Sequence, residues 1–214
     1  MALTFYYGSG SPYAWKVWLA LEHKGIPYDL KVLSFDKKEN KTPEFLKVNP
    51  RGRVPAIVDD GFALSESNAI VEYLEERSPE KPLLPKDVKA RATARRLIAE
   101  VSSDLEKAMD PFLEATLYTK PEARDQKLIA EKRAALDQEL ARWSDALNGD
   151  FFAGAVGLVD YTLLPWIRML PRVEQRAPGL GYKPADLPAK LAAWLARMEQ
   201  LPYYDRTIPP HWRG

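Results

Sequence analysis

The chain has 214 residues and is 46% hydrophobic, enough to bury a substantial core in one large domain or two small ones. Its 31 Lys and Arg balance 30 Asp and Glu to a net charge of +1, so no global field argues for nucleic acid or a membrane surface, and the expected partner is a small molecule. It has no cysteine, which excludes disulfides, thiolate metal sites and a cysteine nucleophile, so any thiol chemistry must use a thiol that arrives with a substrate.

Residues 3–7, a β-branched and aromatic run, predict a strand that ends in the turn Gly8-Ser9-Gly10-Ser11-Pro12. Ala14, Val17, Trp18 and Leu21 then fall on one helical stripe, Pro12 sits in the first turn and Gly25 stands where the helix should end. Residues 28–33 predict a second strand, parallel to the first because a helix joins them. Residues 35–48 are charged and turn-rich, with a short helix after Thr42-Pro43.

The stretch 49–74 is the most informative. Val54-Pro55 opens a strand, where proline costs no ladder hydrogen bond, and Asp59-Asp60-Gly61 supplies residues that tolerate a positive φ before Phe62-Ala63-Leu64 returns. A helix begins at Ser65 or close to it, carried by Ile70, Tyr73 and Leu74. Its first turn has free N–H groups that attract an anion, and Glu66 and Ser67 add a carboxylate and a hydroxyl. Such a patch suits a zwitterionic amino-acid head group; equally, Ser65 serves as a cap and Glu66 favours the helix dipole. The order is therefore βαβ-α-ββα, a thioredoxin-like arrangement without the Cys-x-x-Cys of the redox version.

Three prolines between Ser78 and Pro85 break the pattern. The expected organisation is an α/β domain over 1–78, a linker over 79–86 and an all-helical bundle over 87–214. Helical stripes run through Ile98, Val101, Leu105, Met109 and Phe112; Leu136, Leu140, Trp143 and Leu147; Leu163, Ile167 and Leu170; and Leu191, Trp194, Leu195 and Met198. Met109, Phe112 and Trp166 read most simply as core. His23 and His211 lie far apart and form no ligand spacing, so no metal site is expected. The first residues lack a basic segment followed by an apolar one, and no run approaches a membrane span, so a cytoplasmic protein is the expectation.

The segment NPRGRVPAIVDDGFALSESNAIVEYLEE resembles the glutathione-binding segment of the glutathione transferases, in which a cis Val-Pro peptide and a Glu-Ser pair at a helix start hold the tripeptide. Gly157-Leu158-Val159-Asp160 resembles that family's buried helix cap, with glycine where Ser or Thr is usual and Asp160 in a structural role. The resemblance implies glutathione as co-substrate, held by Asn40, Lys41, Arg53, Val54, Pro55, Glu66 and Ser67. Counting back from Lys16-Val17, which resembles the family's Arg-Val, Ser11 falls at the reactive serine whose hydroxyl supports the thiolate; it also reads as an ordinary helix cap. Tyr6 or Tyr7 is the alternative donor, as in tyrosine-type members. Ser11-Pro12-Tyr13 is similar to the tau-type pattern and residues 40–46 to the phi-type, leaving a phi-, tau- or theta-like bacterial member. The function implied by the resemblance is conjugation of the glutathione thiolate to an apolar electrophile in a pocket that the helical domain completes, in a detoxifying, cytoplasmic homodimer. An isomerase or dehalogenase on the same scaffold, and a non-catalytic ligand-binding member, are the alternative readings; the isomerase's Ser-Ser-Cys turn is missing.

Overall fold

Leu3, Phe5 and Tyr7 alternate with Thr4 and Tyr6 along the first strand, β1 (Leu3–Gly8), and all three are buried, so the pleat fixes which face meets the core. The computed structural model describes residues 3–212. Through them run α1 (Pro12–Lys24), β2 (Tyr28–Leu33), α2 (Pro43–Val48), β3 (Ala56–Asp59), β4 (Phe62–Ser65) and α3 (Ser67–Arg77). The sheet order is β2-β1-β3-β4, with β2 parallel to β1 and the β3-β4 hairpin antiparallel. The hairpin turns on Asp60 and Gly61, whose φ angles of 48° and 85° give the doubly positive pair that matches strand twist. Helix α1 starts on Ser11 and stops at Gly25, φ 66°, whose N–H bonds back to the last turn.

Two features differ from the sequence expectation. Ser65 is not the helix start: it is the ladder partner of Ala56 and closes β4, so α3 begins at Ser67 with Glu66 as its N-cap residue. The described residues 201–212 belong with the first compact unit, residues 3–84, rather than with the helical unit expected over 87–214. The reason is a second apolar face on α1. Trp15 lies off the predicted stripe yet is buried: it donates its indole N–H to Thr207 Oγ1 at 3.2 Å and meets the Tyr204 and Trp212 rings.

The proline-rich stretch is likewise no free linker. Lys24, fully buried, pairs with Glu75 at 2.8 Å and donates to the carbonyls of Ser78 and Lys81, while the Glu75 carboxylate accepts the N–H groups of Leu83 and Leu84, both buried. A buried ammonium is tolerable only when its donors are met in this way. The unit boundary accordingly falls between Leu84 and Pro85.

The second unit, Pro85–Gln200, is helical. Helices α4 (Val88–Glu100) and α5 (Glu106–Leu113) are joined by a π-helical turn at Val101–Leu105, and a second at Glu114–Tyr118 follows α5, which contains Pro111. Helix α6 (Gln126–Ala146) is capped by Asp125, α7 (Leu158–Arg176) is the most buried, and α8 (Ala189–Glu199) packs on α6 and α7. Met109, Phe112 and Trp166 are all buried. The short α9 (Tyr204–Thr207) belongs to the first unit. No helix among the described residues is long and apolar enough to cross a membrane.

Asp160 organises the start of α7. Its Oδ2 accepts the Gly157 N–H at 3.0 Å, and its Oδ1 accepts the Phe152 N–H at 3.3 Å and the Trp194 indole N–H at 2.8 Å. Gly157 has no side chain to return the favour, so only the carboxylate half of a capping box exists. Burial pushes the Asp160 carboxyl up to about 6, against the hydrogen bonds, which favour the ionised form.

Candidate functional site

The hairpin register builds the site. Ala56 pairs with Ser65 at the end of the ladder, so Val54-Pro55 leads into one strand just where Glu66-Ser67 leaves the other. The Val54-Pro55 peptide is cis. Between these segments lies a cleft of about 240 Å³, lined by Tyr13, Asn49, Arg53, Val54, Pro55, Glu66 and Ser67. Five of the predicted binding residues are thus brought together, and a cation and a carboxylate stand on one wall system.

The start of α3 is left open to the cleft. Glu66 has φ 70°, a region costly for any residue with a Cβ, and makes no side-chain cap bond. The first intrahelical bond is Ile70 N–H to Glu66 O at 2.9 Å, so the N–H groups of residues 67–69 lie ahead of the ladder. Ser67 is buried, Glu66 exposed. Lys16, buried on α1, donates to Asn68 Oδ1 at 2.5 Å and ties α1 to this turn.

Asn40 and Lys41 do not line the cleft. The Asn40 amide donates to Gly52 O at 2.8 Å and the Lys41 ammonium to the same oxygen at 3.0 Å, bracing the loop from behind. Gly52 is required there: its φ is 59°, and a Cβ would lie 2.7 Å from Asn40 O. From the other side Asn49 accepts the Arg51 N–H at 3.1 Å and donates to Arg53 O at 2.7 Å. This side chain, overlooked in the sequence although it opens the informative stretch, fixes the approach to Val54.

Ser11 is not among the lining residues; its Oγ accepts the Ala14 N–H at 3.3 Å and caps α1. It closes a β-turn with Gly8, Ser11 N–H to Gly8 O at 3.0 Å, whose third residue, Gly10, has φ 88°. Tyr13, two residues on and partly exposed, does reach the cleft and was not singled out, although the Ser-Pro-Tyr order held the signal. Tyr7 is fully buried, its ring 4.8 Å from that of Trp18, whereas Tyr6 packs on Phe45 at 5.3 Å.

Comparison with known proteins bears on both units. The family profile described as Glutathione S-transferase, N-terminal domain, matches residues 10–77, and Glutathione S-transferase, C-terminal domain, matches residues 108–202. Glutathione S-transferase A of Pleuronectes platessa is 30% identical over 221 residues, covering 98% of this chain and 92% of that protein. The crystal structure of a glutathione S-transferase from the Antarctic clam Laternula elliptica superposes with a TM-score of 0.88 at 35% identity, covering 99% of this chain and 94% of that one. A probable maleylacetoacetate isomerase 2 of Drosophila melanogaster is 43% identical, but over only 95 residues, 44% of this chain and 42% of that protein. The βαβ-α-ββα unit with its cis Val54-Pro55 and open α3 start, the helical unit with its buried Asp160 cap, and near-complete coverage in sequence and structure agree: the chain belongs to the glutathione S-transferase family.

Proposed function

We propose that this glutathione transferase holds the γ-glutamyl head of glutathione at Glu66, Ser67 and the α3 N-terminus, and presents its thiolate to an apolar electrophile with Ser11 as hydrogen-bond donor. The observation that carries the reading is the single cleft lined by Arg53, Val54, Pro55, Glu66 and Ser67, which pairs a carboxylate for an ammonium with open N–H groups and a hydroxyl for a carboxylate. Asn40 and Lys41 act in this reading through the Gly52 loop, and Arg53 meets the peptide directly. Val54 and Pro55 form the wall along which the peptide lies. The absence of cysteine fits a reaction whose sulfur belongs to the substrate. Tyr7, fully buried, is a poorer donor than Ser11 to a ligand in the cleft. Cytoplasmic placement, detoxification and assembly as a homodimer are proposed with it, from the family resemblance.

Lowering a thiol pKa from about 8.5 by two is worth about 2.7 kcal/mol, near the upper range of a hydrogen bond to a charged group. The thiolate fraction at neutral pH then rises about 25-fold, while lower basicity costs roughly 6- to 10-fold in nucleophilicity. The net gain is a few-fold. Most of the rate therefore comes from holding the electrophile beside the sulfur.

The test is turnover of a chloronitrobenzene with glutathione, together with titration of the bound thiolate by ultraviolet absorbance. Ser11→Ala should leave glutathione affinity nearly intact, raise the bound thiol's pKa by about one to two, and lose rate at neutral pH that partly returns at high pH. A Ser11→Ala protein that titrates like the parent, with Tyr6→Phe or Tyr7→Phe shifting instead, would make the donor a phenol.

A further inference from the structure

The segment 201–212 ends on the turn that carries Ser11. Thr207 is fully buried under Trp15, and the single helical turn Pro210–Trp212 brings the Trp212 ring edge-on to Trp15 at 5.5 Å. This pins His211 over the turn. Its Nδ1 lies 2.6 Å from Ser9 Oγ, and its Cε1 would lie 2.9 Å from a Cβ built on Gly10, whose φ of 88° favours glycine.

The direction of the Ser9 bond is set by Trp212. The Trp212 indole N–H lies 2.9 Å from His211 Nε2, and an indole can only donate. Nε2 must then carry the lone pair, which leaves the proton of the neutral ring on Nδ1. The imidazole therefore donates Nδ1–H to Ser9 Oγ, and the single hydroxyl proton of Ser9 is turned away from the ring. Ser11 stands in the same condition: its oxygen accepts the Ala14 N–H, and its proton remains to be given. Two hydroxyls, two residues apart on one tight turn, each have a fixed donor at the oxygen and a proton to offer.

Building on the glutathione reading above, we propose that His211 is a positioning residue: by donating to Ser9 Oγ under the hold of Trp212, it makes Ser9 a second hydroxyl donor to the glutathione sulfur beside Ser11. Trp212 sets the tautomer, His211 sets the hydroxyl, and Ser9 meets the thiolate.

The experiment is a set of variants read by thiolate titration of bound glutathione and by steady-state kinetics. His211→Ala should raise the bound thiol's pKa by about 0.5, which lowers the thiolate fraction about three-fold below that pKa; the more basic thiolate recovers part of this, so kcat should fall about two-fold there with the KM for glutathione unchanged. Ser9→Ala should do the same, and the double variant should lose no more than either single one. His211→Asn, which keeps an N–H near the Nδ1 position, should restore the parent's titration, whereas His211→Gln, which moves it toward the Nε2 position, should not. Trp212→Phe keeps an aromatic ring but frees the tautomer, so Ser9 turns its proton toward Nδ1 and the loss should match that of His211→Ala. Overturning results are His211→Ala or Trp212→Phe titrating like the parent, or additive losses in the double variant. A parent that neither binds nor ionises glutathione overturns this proposal and the reading beneath it together; a parent that does both, with unchanged variants, overturns only this one.

Discussion

Two helix starts in this chain meet the same physical problem in opposite ways. At α7 the start is tied down from within the protein: Asp160 turns back on the Gly157 N–H and also takes the Phe152 and Trp194 donors, its own carboxylate buried. At α3 the N-cap residue Glu66 offers no side-chain bond and sits at a positive φ, and the turn opens on a cleft. A satisfied terminus serves stability, and an unsatisfied one costs stability in order to be satisfied by a ligand. If that contrast is sound, substitutions at α7 should be felt in unfolding and substitutions at α3 in binding.

The largest effect is expected from Asp160→Ala, which strands three N–H donors at about 1–3 kcal/mol each, for a loss of about 4 kcal/mol in urea unfolding. Asp160 also gives the contrast a pH signature. Its folded-state pKa, about 6, lies above the usual 3.8, so in that window the folded state holds more protons than the unfolded one. The contribution of this group to stability is fullest below pH 3.8, declines as pH rises toward about 6, and is flat above. Asp160→Asn should remove that slope; a slope that survives the change would assign it elsewhere.

Next in size is Ser67→Ala. On the proposed reading the Ser67 hydroxyl meets glutathione in ground and transition states alike, so its removal should raise the KM for glutathione roughly 5- to 30-fold, with kcat little changed and the unfolding midpoint near the parent's. An unaltered KM would detach the α3 start from the ligand.

Glu66→Gly sharpens the comparison from the other side. Glycine adopts φ 70° without steric cost, so the variant should gain about 1 kcal/mol of stability in denaturant unfolding. The same change removes the carboxylate proposed to meet the ligand's ammonium, so glutathione affinity, measured by calorimetry, should fall as stability rises. A variant that weakens both would mean that Glu66 is held for structural reasons alone.

Legibility in the sequence tracks the range of the forces involved. The Asp60-Gly61 turn, the Ser11-Pro12 start and the Gly25 stop depend on neighbours a few residues away, and they stand where their residue types require. Ser65 reads along the helix as a cap, but it belongs to the β4 ladder opposite Ala56, a pairing decided across the hairpin, and the helix begins two residues on. Asn40 and Lys41 matched a family pattern, but their geometry rests on the Gly52 carbonyl, 12 and 11 residues away, which no local spacing discloses. The return of 201–212 was invisible for the same reason in stronger form: the Trp15–Thr207 hydrogen bond spans 192 positions, and only the unclaimed apolar face of α1 hinted that something must cover it.

The smallest expected effect tests whether the closed terminus is as closed as it can be. Gly157 has φ −166° and ψ −155°, extended backbone that any residue adopts, so a side chain there carries no conformational penalty. A serine hydroxyl at this position would accept an N–H of the first turn of α7 and complete the box whose other half Asp160 already supplies. Because glycine is only a few tenths of a kcal/mol worse than a good cap, and also leaves the unfolded chain more freedom, Gly157→Ser should raise stability by about 0.5 kcal/mol. Glutathione kinetics should not move, since the residue belongs to the helical unit's interior and not to the cleft lining. A gain that appears only while Asp160 is present, and vanishes in Asp160→Asn, would show the two halves acting as one cap. A loss of stability in Gly157→Ser alone would mean that the interior has no room for the hydroxyl, and that the α7 terminus is held closed by packing on Gly157 rather than by its hydrogen bonds.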